Sequence, residues 1–215
     1  MEAFTVLEAP AAPLLRDDID TDALFPAAWV MDFDTDYGAA LFANWRYLDA
    51  RSVENPEFVL NREGFRAARI LVAGANFGCG SSRSHAVWAL AAFGIRAVIA
   101  PSFADIFRGN AIREGILPLV LPRPEVERLA AIAAAHPGAT FRIDLQSCRV
   151  RDPLGGELAF EIDAPAREHL LSGLDEIDST LRHRAAIERY EAGVRAKRRQ
   201  WAAAGIPHDD RSRAR

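Results

Sequence analysis

The chain has 215 residues, 50% of them hydrophobic and 26% charged, with a net charge of −4. These proportions are typical of a soluble globular protein and exclude disordered and collagen-like chains. The longest apolar run, Ala86 to Ile95, is shorter than the about 20 residues of a membrane span, and two cysteines are too few for an extracellular disulfide framework, so we expect a cytoplasmic protein.

The first 65 residues show little regular pattern. We expect a strand at Phe4–Leu7, an acidic stretch at 16–22, and a long loop from Trp29 to Trp45 that contains Asp32, Asp34 and Asp36. Loops of this length inside compact domains are usually functional or disordered. The loop is therefore a candidate for ligand contacts.

From residue 69 onward, strands alternate with helices. Short apolar strands are expected at Arg69–Ala73, Ala97–Ala100 and Ile116–Leu121, followed in turn by helices at 83–93, 103–114 and 124–136. Further strands are expected at Phe141–Leu145, Arg149–Val150 and Glu157–Ile162, and further helices at Pro165–Leu171 and His183–Ala203. The βαβαβα order predicts an α/β fold with a central, parallel, right-handed sheet.

Charge is unevenly distributed along the chain. Residues 1–60 carry 3 basic and 12 acidic side chains, whereas residues 182–215 carry 10 and 4. The tail from Arg195 to Arg215 has basic stretches at 195–199 and 211–215, with one aromatic residue, Trp201, between them and no nucleic-acid motif. We interpret it as a solvated helix end and a frayed terminus. We predict one domain over residues 1–190 and a basic tail over 191–215.

Segment 74–85 is the candidate site, because ligands of open α/β sheets bind beyond the carboxyl ends of the strands. Its three glycines allow a close approach of the backbone, and the N–H groups at a helix start attract anions. Arg83 can hold a carboxylate by two parallel hydrogen bonds, and Ser81 and Ser82 add hydroxyls. The segment therefore predicts a site for a carboxylate or a phosphate.

Three familiar interpretations of such a loop fail on spacing. The segment lacks the Lys of a Walker loop, it has Arg83 where a dinucleotide turn needs its third Gly, and it lacks the second Gly of a nucleophile elbow. Nucleotide hydrolysis and dinucleotide binding are therefore not expected. A structural alternative stays open, in which Ser81 or Ser82 is only the N-cap of the helix, worth about 1 kcal/mol.

Other candidate groups also have a structural alternative. Segment 17–22 lacks the Gly and Glu of a calcium loop, and its simplest role is an Asp-rich helix cap unless it pairs with segment 74–85. We expect His85 to be packed near the helix start rather than to act as a base. Cys79 is expected to be a small buried hydrophobe, and the apolar residues Trp88, Leu90 and Phe93 are expected in the core.

Four motifs together resemble a known family. They are Asp20-Thr21-Asp22 with Pro26, Phe42-x-x-Trp45-Arg46-Tyr47-Leu48, the run from Asn76 to Leu90, and the run from Ala100 to Asn110. In this order, over about residues 14–190, they are similar to the aconitase-like swivel domains and, among these, to the small subunits of 3-isopropylmalate dehydratase. The combination is highly specific for the swivel domain and less so for one substrate.

The resemblance implies a swivelling β/β/α domain with a central parallel sheet, and a hydro-lyase of leucine biosynthesis that interconverts 2- and 3-isopropylmalate through an enoate. In this family a large partner subunit carries the [4Fe-4S] cluster. We therefore expect no cofactor on this chain, a large iron–sulfur subunit as partner, a diacid as substrate, and neither nucleic acid nor membrane as partner. Cys79 and Cys148 agree with this, because such a cluster usually takes three or four thiolates.

The resemblance also assigns roles to residues. Ser81 matches the base of aconitase, which acts as an alkoxide and therefore needs nearby N–H groups, positive charge and exclusion of water. Arg83 matches the arginine that binds a substrate carboxylate, and Thr21 and Asp22 match residues on the substrate side of the cleft. The predicted substrate-binding residues are Arg83, Ser82, Thr21, Asp22 and Gly80.

The sequence departs from the family pattern in two places. Ser84 and Val87 replace the usual Glu and Pro after the arginine, and residues 23–45 contain no Lys or Arg where aconitase has a second substrate arginine. A small subunit that acts on another 2-hydroxy diacid, of the homoaconitate or methylmalate type, stays open. So does a non-catalytic anion-binding module.

Overall fold

The computed structural model describes residues 2–29, 35–49, 51–174 and 176–203, without the side chains of 176, 179 and 202. The chain forms two compact units, Met1–Leu174 and Asp175–Arg215. Of the sequence predictions, Asp32 and Asp34 of the loop and residues 211–215 of the tail lie outside the described residues. The division into a domain at 1–190 and a tail at 191–215 stays a prediction.

The first unit contains a seven-stranded sheet. Its strands are β1 (Val6–Leu14), β2 (Ile70–Ala73), β3 (Ala97–Ala100), β4 (Leu117–Val120), β5 (Thr140–Asp144), β6 (Arg149–Arg151) and β7 (Glu157–Ala159), in the order β4-β3-β2-β1-β5-β6-β7. The pairings among β1 to β4 are parallel, and those from β1 through β5 and β6 to β7 are antiparallel. This confirms the predicted α/β fold with a central parallel sheet and adds an antiparallel wing.

Seven α-helices are described in the first unit, and three of them follow the central strands as predicted. They are α1 (Thr21–Leu24), α2 (Tyr37–Ala40), α3 (Ala43–Arg46), α4 (Ser84–Phe93), α5 (Asp105–Arg113), α6 (Arg123–Ala135) and α7 (Ala164–Ser172). The prediction of a continuous loop from Trp29 to Trp45 was wrong in its described part, which contains α2 and α3. Buried Arg46 stabilises this part by donating hydrogen bonds from Nη1 to the carbonyls of Gly38 (2.8 Å) and Leu41 (3.3 Å).

Strand β1 starts later and ends later than the predicted strand at Phe4–Leu7. Its first half, Val6 to Pro10, pairs with β5, and its second half, Ala11 to Leu14, pairs with β2. Proline lacks the N–H donor that a strand paired on both sides needs. Because each half pairs on one side, β1 accommodates Pro10 and Pro13.

The sheet separates two hydrophobic clusters. Along β2, Leu71 and Ala73 belong to the cluster that contains α4, whereas Ile70 and Val72 belong to the cluster that contains α6. Because successive side chains of a strand point to opposite faces, this alternation places helices on both sides of the parallel part of the sheet. The loops that follow β1, β2 and β3 therefore lie at the same edge of the sheet, beyond the carboxyl ends of these strands.

The second unit contains α8 (Glu176–Leu181) and α9 (Arg184–Ala203). Along α9, Arg184 pairs with Glu188 and Arg195 with Glu191 at i,i+4 spacing. Pairs of this kind support an exposed helix and agree with the interpretation of a solvated helix end. None of the described helices is both long enough and apolar enough to span a membrane.

Asp152 stabilises the turn between β6 and β7, and we expect Asp152→Asn to lower the free energy of unfolding at pH 7 by about 2 kcal/mol. Its side chain is 1% exposed and accepts hydrogen bonds from Arg128 Nη1 (2.7 Å) and from the N–H groups of Leu154 (2.9 Å) and Gly156 (3.0 Å). Burial raises the pKa of this carboxyl, but the hydrogen bonds outweigh burial, so that its pKa lies below the usual value.

A lowered pKa in the folded state means that the carboxylate contributes stability above the pKa of the unfolded chain and loses it as the pH falls through the folded value. The difference between the wild type and Asp152→Asn should therefore shrink below about pH 4. Urea unfolding over this pH range measures it. Glu127→Gln, on exposed α6 surface, is the control, and equal stabilities of Asp152→Asn and wild type at pH 7 would contradict the assignment.

Candidate active site

Three segments meet at the carboxyl ends of the parallel strands. They follow β1, β2 and β3 and cover residues 15–20, 74–83 and 101–104. Backbone hydrogen bonds join them, from Gly78 N–H to the carbonyl of Ile19 (2.7 Å) and from Phe77 N–H to the carbonyl of Ser102 (3.1 Å). The predicted site segment is thus held between its two neighbours.

The acidic segment pairs with the site segment, which spacing alone could not show. Thr21 is 2% exposed, and its hydroxyl donates a hydrogen bond to the carbonyl of Ser81 (2.9 Å). The N–H of Thr21 donates to the carbonyl of Cys79 (2.9 Å), and Arg83 Nη1 forms an ion pair with Asp22. Thr21 therefore fixes the backbone at Ser81, and Asp22 orients the guanidinium.

The predicted helix-cap role of the acidic segment is also present. Asp20 is the N-cap of α1, and its Oδ1 accepts a hydrogen bond from the N–H of Ala23 (2.7 Å). Asp17 accepts from the N–H of Ala75 (2.7 Å) and from Arg123, and these bonds hold the pKa of its carboxyl below the usual value. The segment therefore stabilises α1 and also clamps the start of the site segment.

Ser81 and Ser82 do not cap the helix, so the structural alternative for them was wrong. The N-cap of α4 is Arg83, which makes no side-chain capping bond. Both serines are exposed, and neither hydroxyl has a hydrogen-bond partner among the described residues. The Ser81 hydroxyl is thus available to a ligand, as its predicted role as a base requires.

A cavity of about 280 Å³ opens at this edge. Its lining includes the predicted residues Thr21, Gly80, Ser81, Ser82 and Arg83. Of the predicted site residues, Asp22 is not in the lining but pairs with Arg83. Gly80, with φ of +89°, keeps the backbone in a conformation that favours glycine.

Sequence reasoning missed the contribution of α5 to this cavity. Asp105, Ile106, Phe107 and Asn110 line it together with Ala104. The run from Ala100 to Asn110 carried part of the family resemblance, and the carboxyl-end rule applies to β3 as well as to β2. Both signals pointed to α5, but no role was assigned to its side chains.

The charges at the cavity do not balance those of a dicarboxylate. Arg83 is the only positively charged side chain among the described lining residues, and it is already paired with Asp22. Asp105 adds a negative charge to the lining. An anionic ligand with two carboxylates therefore needs further cations from outside these residues.

The remaining predicted groups are structural. His85 packs against Phe25 and Trp88, with ring centroids 5.4 Å and 5.1 Å away. Leu90 is fully buried as predicted, but Trp88 is 38% exposed and donates a hydrogen bond to Glu114 (2.8 Å), so that its prediction as a core residue was wrong. An indole has a polar N–H that favours such a position at the surface.

The two thiols do not form a metal site. Cys79 is only partly buried, so its prediction as a buried residue was wrong. This partial burial, together with the charges of Asp18 and Asp20, raises the pKa of its thiol, which keeps the thiol protonated. Cys148 lies in the turn between β5 and β6. Within the described ranges, no group of three or more His, Cys, Asp or Glu side chains is placed to bind a metal ion. These residues do not fit a [4Fe-4S] cluster.

Gly78 is required by the packing of the site segment, and we expect Gly78→Ala to lower the free energy of unfolding by about 2 kcal/mol. Its φ is +77°, and a Cβ at this position would overlap the ring of Phe107, which is 3% exposed. Thermal or urea unfolding measures the loss. Gly109→Ala is the matched control, since a Cβ there meets no atom within 4 Å; equal losses in both variants would contradict the packing argument.

Family models and known proteins match this chain over most of its length. The family model of the aconitase C-terminal domain matches residues 1–124, and the LeuD_N model matches residues 127–164. The chain is 49% identical over 203 residues to the 3-isopropylmalate dehydratase small subunit of Rhodospirillum centenum, covering 94% of this chain and 99% of that protein. It is 48% identical to the small subunit of the same name from Shewanella amazonensis, covering 93% and 100%.

A solved structure shows the same fold. The crystal structure of 3-isopropylmalate dehydratase from Methanocaldococcus jannaschii matches with a TM-score of 0.62 and 28% identity, covering 86% of this chain and 99% of that one.

Proposed function

This chain belongs to the aconitase C-terminal domain family and, within it, to the small subunits of 3-isopropylmalate dehydratase, and on this premise we propose how its residues serve the reaction. The enzyme is a two-chain hydro-lyase that interconverts 2- and 3-isopropylmalate by removal and re-addition of water. The exposed Ser81, which lines the cavity together with Arg83, is the observation that supports our assignment of roles.

Ser81 is the base that removes the proton from the carbon beside a substrate carboxylate. Its alkoxide is stabilised by the positive end of α4, by the N–H groups at the helix start and by the charge of Arg83. Thr21 holds the backbone carbonyl of Ser81 and so directs the side chain toward the cavity. Gly80 and Ser82 complete the wall against which the substrate lies.

Arg83 binds one substrate carboxylate. Asp22 contacts only Nη1 among the guanidinium nitrogens, so the remaining N–H donors can form the parallel pair that a carboxylate accepts. Asp22 keeps the guanidinium in place before the substrate arrives. The second carboxylate needs cations that the described lining lacks, and we assign these to the large subunit.

The leaving hydroxyl requires a Lewis acid, and the residues of this site supply none. We place the [4Fe-4S] cluster on the large subunit, because neither the cysteine count nor the described site suits it here. The small subunit then closes the substrate between Ser81 and the partner. We propose that the enzyme works in the cytoplasm, without nucleic acid or membrane.

The test is to mix the purified chain with an iron–sulfur large subunit and to follow the appearance of the enoate from isopropylmalate. We expect no turnover by the chain alone and turnover by the mixture. Turnover of another 2-hydroxy diacid but not of isopropylmalate would reassign the substrate, and absence of any turnover would favour a non-catalytic anion-binding module. A stable [4Fe-4S] spectrum after anaerobic reconstitution of this chain alone would overturn the placement of the cluster.

A further inference from the structure

Asn76 connects the site segment to both of its neighbours. Its side-chain Nδ2 donates a hydrogen bond to Asp18 Oδ1 (2.7 Å), in the segment after β1. Its backbone N–H donates to Ser102 Oγ (2.8 Å), in the segment after β3. Asn76 is therefore bonded to the loops of two different strands while it belongs to the loop of a third.

Both residues that form the side-chain bond, Asn76 and Asp18, have a left-handed backbone conformation. Asn76 has φ of +56° and Asp18 has φ of +55°. Asn and Asp are the residues other than Gly that adopt this left-handed conformation most readily, because their short polar side chains bond locally. Both loops thus have a strained turn at the residue that forms the bond, and such turns persist only where the surroundings stabilise them.

The bond lies next to the backbone contacts that hold Ser81. The N–H of Asp18 donates to the carbonyl of Ala75 (2.9 Å), and the N–H of Gly78 donates to the carbonyl of Ile19 (2.7 Å). The next backbone bond joins the N–H of Thr21 to the carbonyl of Cys79 (2.9 Å), and the Thr21 side-chain hydroxyl then donates to the carbonyl of Ser81 (2.9 Å). A continuous series of hydrogen bonds between the two loops therefore connects the Asn76 turn with Ser81.

We propose that Asn76, through its bond to Asp18, is a positioning residue that sets the placement of Ser81 for proton removal. This inference rests on the proposed function of Ser81. It predicts that loss of the bond changes the chemical step more than substrate binding, because Arg83 is oriented by Asp22 and not by Asn76. Asn76 is exposed and does not line the cavity, so it need not touch the substrate.

The first variant is Asn76→Gly, which keeps the left-handed backbone and removes the side-chain donor. In the complex with the large subunit we expect kcat to fall by about 10- to 100-fold, the range caused by a displacement of about 1 Å, with KM nearly unchanged. The limb of the pH–rate profile that reports the base should move to higher pH, because a displaced alkoxide is less well stabilised. A purely structural role would lower the amount of active enzyme without moving this limb.

The second test exchanges the two residues. Asn76→Asp alone places two carboxylates against each other and should lower kcat further than Asn76→Gly. The double variant Asp18→Asn with Asn76→Asp restores one donor and one acceptor, and both residue types adopt positive φ. We expect it to recover most of kcat and to return the pH–rate limb toward that of the wild type.

A matched control is Cys148→Gly, which also replaces a residue of positive φ, +53°, by glycine, but in the β5–β6 turn. Its kcat and pH–rate profile should equal those of the wild type. Wild-type kcat in Asn76→Gly, or failure of the exchange to recover activity lost in Asn76→Asp, would overturn the proposal. Weaker binding of the large subunit with unchanged kcat at saturation would instead place Asn76 in the subunit interface, and would overturn it too.

Amide hydrogen exchange on the isolated chain tests the positioning without turnover. The N–H groups of Gly78 and Thr21 report the ladder between the two loops, and we expect both to exchange faster in Asn76→Gly and to slow again in the double variant. If the wild type were inactive with the large subunit but the exchange rates changed as expected, the proposed function would be refuted, while the structural link between Asn76 and the backbone near Ser81 would stand. If the wild type were active but the exchange rates did not change in Asn76→Gly, only the link between Asn76 and the backbone near Ser81 would be refuted.

Discussion

Ser81→Ala is expected to lower kcat of the assembled enzyme by about 1,000-fold, within the range attributed to a positioned general base. The hydroxyl has no partner among the described residues, so its removal leaves no buried group unsatisfied. Folding and association with the large subunit should therefore be unchanged. Steady-state kinetics with saturating large subunit, together with a thermal melt of the isolated chain, separate the two effects.

Ser84→Ala is the matched control for this variant. Ser84 is also exposed, lies three residues further along the chain and starts α4. Because it is outside the cavity lining, its replacement should leave kcat and KM unchanged. If Ser81→Ala retained near-normal turnover, Ser81 would not be the base, and another group would have to remove the proton.

Arg83→Lys is expected to raise KM by about 100-fold, since a single ammonium replaces the planar fork that holds a carboxylate by two bonds. The existing ion pair with Asp22 increases the effect. A guanidinium contacts Asp22 through Nη1 and keeps donors for the substrate, whereas an ammonium drawn to Asp22 lies away from the substrate. The effect on kcat should be smaller than that on KM.

Steady-state kinetics of wild type and Arg83→Lys measure the changes in KM and kcat, and direct binding of the substrate is a second readout. Arg142→Lys is the control, because Arg142 is a half-exposed arginine paired with Glu8 and Asp144 on the antiparallel wing. Unchanged KM in Arg83→Lys would show that the carboxylate is bound elsewhere, with the large subunit as the source of the cations.

The two assignments differ in how much the sequence contributed. The strand–loop–helix pattern around Gly74 to Arg83 placed an anion site at a strand end, and local periodicity is sufficient for that. The role of Ser81 as a base comes only from resemblance to a family, because an isolated Ser-Ser-Arg is explained more simply as a helix cap. The structure removed the cap alternative by placing Arg83 at the N-cap.

The limited information in local sequence patterns also explains which elements of the fold were predicted wrongly. The strand predicted at Phe4–Leu7 covers only the start of β1, and local propensity does not predict a paired strand through Pro10 and Pro13. The strand exists because β2 and β5 each pair with one half of it. Likewise, α2 and α3 have four residues each, too few for a recognisable helical period.

By itself, the sequence determined the parallel βα units, the position of the candidate site loop at a strand end, and the family. The first two follow from spacing along the chain, which sets local hydrogen bonds and the buried face of each element, whereas the family follows from the resemblance of the four motifs. Only the tertiary structure decided that Thr21 and Asp22 reach Ser81 and Arg83, about 60 residues away in the chain, and that α5 lines the cavity. Contacts of this kind depend on which strand ends the sheet brings together, and no local pattern encodes that.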